Sequence, residues 1–151
     1  MVKHCLLALA LVCGSAFSQT MPNPQLTPGS ADPTLTKEVI CSPTFRTSDI
    51  RNVSAFKKQV VYGTYVATNH KGVCAGTEGC EVDHLIPLYI GGSNEITNLW
   101  PEPYVGTWGA HTKDKLEIKL HTLVCSGKLD LATAQKAVAS DWIKAYKLYV
   151  K

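Results

Sequence analysis

Between Glu81 and Leu99 the chain reads EVDHLIPLYIGGSNEITNL, two short apolar arms joined by Gly91-Gly92-Ser93-Asn94. Glycine enters positive φ at little steric cost, so the pair favours a tight reversal. Val82, Leu85, Ile86, Leu88 and Ile90 alternate in part along the first arm, and an apolar segment resumes from Ile96 to Trp100. Together they predict a hairpin-like unit. Pro87 makes its first arm irregular or an edge, because proline cannot donate to a strand ladder.

The region after this unit turns helical. In AHTKDKLEIKLHTLVCSG, Leu116, Leu120, Leu123 and Val124 recur on one helical face, with Thr112 as the expected cap and Gly127 beyond the end. Asp130 is placed to start a second helix, whose stripe is Leu131, Ala134, Val138, Trp142 and Ala145. Upstream, a short strand is expected around Glu38 to Cys41, and a short helix from Ala55 to Val61, capped by Ser54 and stopped by Gly63. Strand, glycine loop, strand, loop and two helices give an α+β domain.

The opening MVKHCLLALALVCGSAFSQT carries one lysine, a short apolar run and small residues. It reads as a secretory signal peptide over residues 1–18, since so short a run cannot span a bilayer. Cleavage after Ser18 leaves 133 residues, enough for one domain with a modest core. Residues 19–36 hold four prolines and several small polar groups and are expected to be a flexible lead-in, leaving 37–151 as the folded domain. No later apolar stretch reaches spanning length, so a secreted or periplasmic chain with no membrane partner is expected.

Of the six cysteines, Cys5 and Cys13 lie in the leader, and Cys41, Cys74, Cys80 and Cys125 remain. An even number in an oxidising compartment favours two disulfides, with three pairings open. Cys74 and Cys80 enclose only the glycine-rich AGTEG, and their closure would leave Cys41 with Cys125 as a long staple. A four-cysteine zinc site would need two tight pairs, which the spacing does not supply. Without the leader, fourteen Lys and Arg stand against twelve Asp and Glu, a balance that permits an anionic partner without requiring one.

Asp83 and His84 are adjacent and would point to opposite faces of a regular strand. A carboxylate there can hold a hard divalent ion while a neutral imidazole takes a proton from water, and one metal with one general base can hydrolyse a phosphodiester. Asn98, returned by the glycine turn, would orient the histidine or stabilise the loop.

The pattern D-H-x-x-P-x-x-x-G-G-S-N-x-x-x-N-L, carried by Asp83, His84, Pro87, Gly91, Gly92, Ser93, Asn94, Asn98 and Leu99, resembles the HNH endonuclease superfamily, whose core is a ββα metal finger. The continuation through Asn98 to Pro103, Lys113 to Glu117, Leu120 to Gly127, Leu131 to Gln135 and Asp141-Trp142 is similar to a secreted or phage-borne branch, so the resemblance spans roughly residues 38 to 146. It implies a metal-dependent endonuclease acting on DNA, and on RNA as a second substrate, with little sequence preference. His84 would be the general base, Asp83 a metal ligand and Asn98 the orienting residue. Where the branch is expected to carry an asparagine ligand this chain has Gly109, and His111 is the expected substitute. The ion implied is Mg2+, replaceable by Mn2+, with Zn2+ or Ni2+ as nitrogen-tolerant alternatives. Lys113 and Lys115, at a helix start, are expected to contact substrate phosphate. Two other readings stand beside this one: a catalytically weakened HNH-like nucleic-acid-binding module, and a small secreted protein-binding or inhibitor domain. An immunity or other protein partner is left open.

Overall fold

The computed structural model describes residues 20–67, 79–104 and 106–150. The leader at 1–18 and Cys74 lie outside them. The domain is α+β and disulfide-stapled: α1 (Lys37–Ile40) and α2 (Thr47–Ile50) are single turns, followed by α3 (Ala55–Ala67), β1 (Cys80–His84), β2 (Leu99–Pro103), α4 (Ala110–Cys125) and α5 (Leu131–Tyr149). The strands pair antiparallel, with Asp83 opposite Trp100 and His84 opposite Leu99. Two short 3-10 turns, Leu88–Ile90 and Ile96–Asn98, carry the chain between them. The arrangement is ββα-like, with α4 following the hairpin and α5 packed on α4.

The core forms where the apolar stripes meet. Leu116, Leu120 and Val124 of α4 face Ala134, Val138 and Trp142 of α5, and all six are fully buried. Asp130 caps α5 as expected, its carboxylate accepting from the Thr133 N–H at 2.9 Å. α4 begins two residues before the expected cap: Gly109 precedes it, and Thr112 lies inside, donating its hydroxyl to the Thr107 carbonyl at 2.9 Å.

Three local expectations fail. Glu38 to Cys41 is not a strand but runs into α1, whose final turn places Cys41 beside α4. Gly63 does not stop α3, which continues to Ala67 so that Val61 and Tyr65, one helical turn apart, can both be buried. The proline-rich lead-in is laid along the core. Thr27 donates to the Leu99 carbonyl at 2.9 Å, Trp142 donates its indole N–H to the Thr20 carbonyl at 2.9 Å, and Ala31 bridges Gly92. Prolines lower the entropy an ordered strap must give up, so a segment without its own core can still dock on another.

The Cys41–Cys125 disulfide joins α1 to the end of α4 across 84 residues of sequence. A loop of that size constrains the unfolded chain by about 4 to 5 kcal/mol in the chain-entropy account. Cys80 is also disulfide-bonded; its expected partner, Cys74, is outside the described residues. Among the described residues no helix is long and apolar enough to cross a membrane.

Candidate functional site

The glycine loop is built by close approach. A Cβ on Gly92 would fall inside the Ile86 carbonyl, and Gly91 has φ of 77° with a would-be Cβ 2.9 Å from the Leu35 oxygen. Asn98 fastens this turn: its amide nitrogen donates to the Ile86 and Ser93 carbonyls at 2.9 Å each, and its oxygen accepts from the Ile86 N–H at 2.9 Å and the Ser30 N–H at 3.3 Å. All four bonds go to loop or strap backbone, so Asn98 is wholly engaged in holding the turn and none of these bonds reaches His84.

His84 is 1 % exposed. Its Nε2 lies 3.1 Å from Asn94 Oδ1, which already accepts from the Asn52 N–H at 3.0 Å, so the ring nitrogen is the donor. Asn94 is fixed in turn by donating to the Ile50 carbonyl at 2.8 Å. The other ring nitrogen, Nδ1, has no hydrogen-bond partner and stands 3.7 Å from Asp83 Oδ1.

Asp83 faces Lys113. Register places Glu81, Asp83, Trp100 and Glu102 on one face of the hairpin, and Lys113 of α4 reaches Asp83 and Glu102 on it. The Lys113 ammonium reaches Asp83 Oδ2 at 2.8 Å, Glu117 Oε1 at 2.7 Å and Glu102 Oε2 at 3.4 Å. Lys113 and Glu102 are fully buried. Burial alone would lower the lysine's pKa, but Asp83, Glu102 and Glu117 raise it well above the ordinary value, so the ammonium stays charged. Burial pushes the Asp83 carboxyl up, yet Lys113, helped by His84, holds it far below the usual carboxylate range. Burial raises Glu117 to about 7 against the opposing pull of Lys113, and Glu102 is raised well above its ordinary value for the same reason. Neither Glu102 oxygen makes a hydrogen bond. The interior therefore holds a compact ion pair, Asp83 with Lys113, flanked by two carboxyls that resist ionisation.

This cluster corrects the expected metal centre. Asp83 already has a cationic partner, supplied by the chain itself. His111 does not join it: its side chain is 82 % exposed, 3.8 Å from Asp114 and tilted over Tyr104. Position 109 has no room for the asparagine expected there unless backbone shifts, because a Cβ would stand 2.6 Å from the Tyr104 oxygen and 2.9 Å from that of Pro103. Among the described residues the one group of three His, Cys, Asp or Glu side chains with convergent ligand atoms is Cys41, His121 and Cys125, and its two sulfurs are joined as the disulfide. The metal-dependent endonuclease, its Mg2+ and the alternatives Mn2+, Zn2+ and Ni2+ as its cofactor are all withdrawn on these findings.

Lys113, expected at substrate phosphate, is enclosed; Lys115, one position beyond Asp114, is exposed on α4. Sequence reasoning placed Asn94 in the motif without its contact to His84, and gave Glu102 and Arg51 no role of their own. The Lys113 to Glu117 spacing of four was the available signal for internal pairing. Glu102, between two prolines, gave none. Arg51 approaches Asp83 Oδ1 at 3.9 Å from a half-exposed position. It borders a cleft of about 220 Å³ lined by Arg51, Lys58, Tyr62, Glu81 and Tyr104. Trp100 is fully buried, and Trp108 meets Trp142 and Tyr146 edge-on at 6.0 and 5.6 Å.

Comparison of the chain with family models, curated proteins and solved structures gives no match.

Proposed function

We propose that the chain is a metal-free, non-catalytic, HNH-like module, exported from the cytoplasm, that holds the phosphate backbone of nucleic acid. The observation that carries this reading is the Lys113 ammonium set among Asp83, Glu102 and Glu117. An internal cation satisfies the carboxylate that a hydrolytic site would need for its ion, while the hairpin, glycine loop and following helix are retained as a scaffold.

The cleft beside Asp83 supplies the surface. Arg51 and Lys58 border it with the hydroxyls of Tyr62 and Tyr104, and Glu81 is the one acid on its lining. Burial raises the Glu81 pKa, with Asp83 and Asp114 adding to the effect and Lys113 and Arg51 opposing it. Phe56, two residues before Lys58 on α3, is 74 % exposed and offers an aromatic face for base stacking. Backbone recognition of this kind reads no base edges and depends steeply on salt.

Fluorescence anisotropy with a labelled DNA duplex and a single strand tests the proposal. Binding is expected to be equal in EDTA and in Mg2+, to weaken sharply between about 50 and 200 mM salt, and to fall when Arg51 and Lys58 are changed together to alanine. No binding at the lower salt, or binding indifferent to the double substitution, overturns it. The protein-binding reading would gain from the first of these outcomes.

A further inference from the structure

The cleft beside Asp83 is walled by several elements. Lys58 and Tyr62, one helical turn apart, line it from α3 and Glu81 from β1, while Arg51 precedes α3 and Tyr104 follows β2. Its polar groups are loosely held. The Tyr62 hydroxyl donates to the Cys80 carbonyl at 3.4 Å and the Tyr104 hydroxyl to Glu81 Oε2 at 3.5 Å, both well beyond the usual O–H···O distance. Arg51 is half-exposed and 3.9 Å from Asp83 Oδ1, and Lys58 is exposed. Two cations and two hydroxyl donors are therefore free to turn to an incoming ligand.

We infer, resting on the nucleic-acid reading above, that this cleft takes the terminal phosphate monoester of a single strand, with the end base stacked on Tyr104. Internal phosphates make only the weaker contacts outside it.

Donor number and size select the end of a strand. An internal phosphodiester carries one charge and has chain attached on both sides, whereas a monoester carries about −1.5 to −2 charges at neutral pH and offers three acceptor oxygens. The planar Arg51 fork can meet two of those oxygens and the Lys58 ammonium the third. The cleft holds about 220 Å³, room for roughly seven waters at ~30 Å³ each. That suits a phosphate with part of its sugar and leaves no passage for a double helix.

Tyr104 selects the unpaired strand. Its side chain lines the cleft and is 39 % exposed, with its ring tilted 33° to that of His111 and the centroids 6.5 Å apart. The exposed ring is a ledge for an unpaired base, whereas a paired base is already stacked on its neighbour. The buried charge pair leaves Arg51 spare. When Arg51 turns to the phosphate, Asp83 keeps the Lys113 ammonium at 2.8 Å, so no buried carboxylate is stranded.

The test is an anisotropy titration of short single strands that carry an internal fluorophore and either hydroxyls at both ends, a 5′-phosphate or a 3′-phosphate, beside a blunt duplex bearing the same phosphates. A terminal phosphate is expected to tighten single-strand binding at least tenfold over the hydroxyl strand and to add nothing to the duplex; the end that responds gives the direction of the bound strand. Arg51→Ala and Lys58→Ala, each checked for a native fold by thermal melting, are expected to erase the gain. Tyr104→Phe, which keeps the ring, should lessen it and Tyr104→Ala should remove it, while Glu81→Gln, which takes away the acid on the lining, should enlarge it. Equal affinity for phosphorylated and hydroxyl strands would overturn the terminal site and leave the backbone reading standing, whereas no binding by any strand would overturn both. An equal gain on the duplex would overturn the choice of a single strand, and a gain that survives either cation substitution would overturn the assignment to this cleft.

Discussion

The Lys113 ammonium stands 2.8 Å from Asp83 Oδ2, which joins the fourth residue of α4 to the fourth residue of β1 through a charge pair buried under the hairpin. With Glu117 and Glu102 beside it, this contact makes Asp83 part of a buried joint between the hairpin and α4.

Lys113→Met should remove the buried cation set among Asp83, Glu102 and Glu117 and leave the Asp83 charge to the half-exposed Arg51, 3.9 Å away. Breaking one side of a buried pair costs about 3 to 5 kcal/mol. Urea denaturation of the variant is expected to show a loss of that order; a loss below about 1 kcal/mol would mean that Asp83 finds water or protonates without penalty.

The pH dependence has a definite sign. Glu117 is raised from an ordinary 4.5 to about 7 in the folded chain, so the folded state binds its proton more tightly than the unfolded one. Stability from this group is therefore fully present below the unfolded value and is lost as pH rises toward 7, by about 3 kcal/mol over the window. Glu102, shifted the same way, adds to the fall, whereas Asp83, held low by Lys113, acts only in strong acid. Melting temperature measured from pH 5 to pH 8 is expected to decline in the parent and to decline less in Glu117→Gln. Superimposable profiles would place the titration elsewhere.

Gly109→Asn introduces the asparagine expected at this position from the resemblance, and it is not expected to create a metal centre. The new Cβ meets the Tyr104 and Pro103 carbonyl oxygens at 2.6 and 2.9 Å, so backbone must shift, at a cost of about 1 to 3 kcal/mol. Calorimetry with Mg2+ should register no binding while thermal melting registers the loss. Tight stoichiometric Mg2+ uptake would show that the loop yields to the side chain.

Asn98→Ala leaves the buried Ile86 amide and the Ile86 and Ser93 carbonyls without their partners. Each buried group stranded in this way costs about 1 to 3 kcal/mol, so a total of at least about 3 kcal/mol is expected in chemical denaturation. Hydrogen exchange should quicken first along the Ser93 to Asn98 loop. Uniform quickening across α4 and α5 instead would mean that the turn does not act as a separate unit.

The stripes of α4 and α5, the Asp130 cap, the Gly91-Gly92 reversal and the α+β order were legible in the sequence because each depends on local geometry: the helical period, one capping oxygen, one residue type without a Cβ. Local information also misled. Glu38 to Cys41 looks extended until the staple demands a turn, and the prolines of the lead-in look unstructured until Thr27 and Trp142 supply partners. The fate of Asp83 was decided only by tertiary structure. Side-chain type and spacing say that a carboxylate can take a cation, but not which cation arrives. That depends on α4 crossing the hairpin face at Lys113 and on Glu102 turning inward opposite Glu81, two placements set by long-range packing.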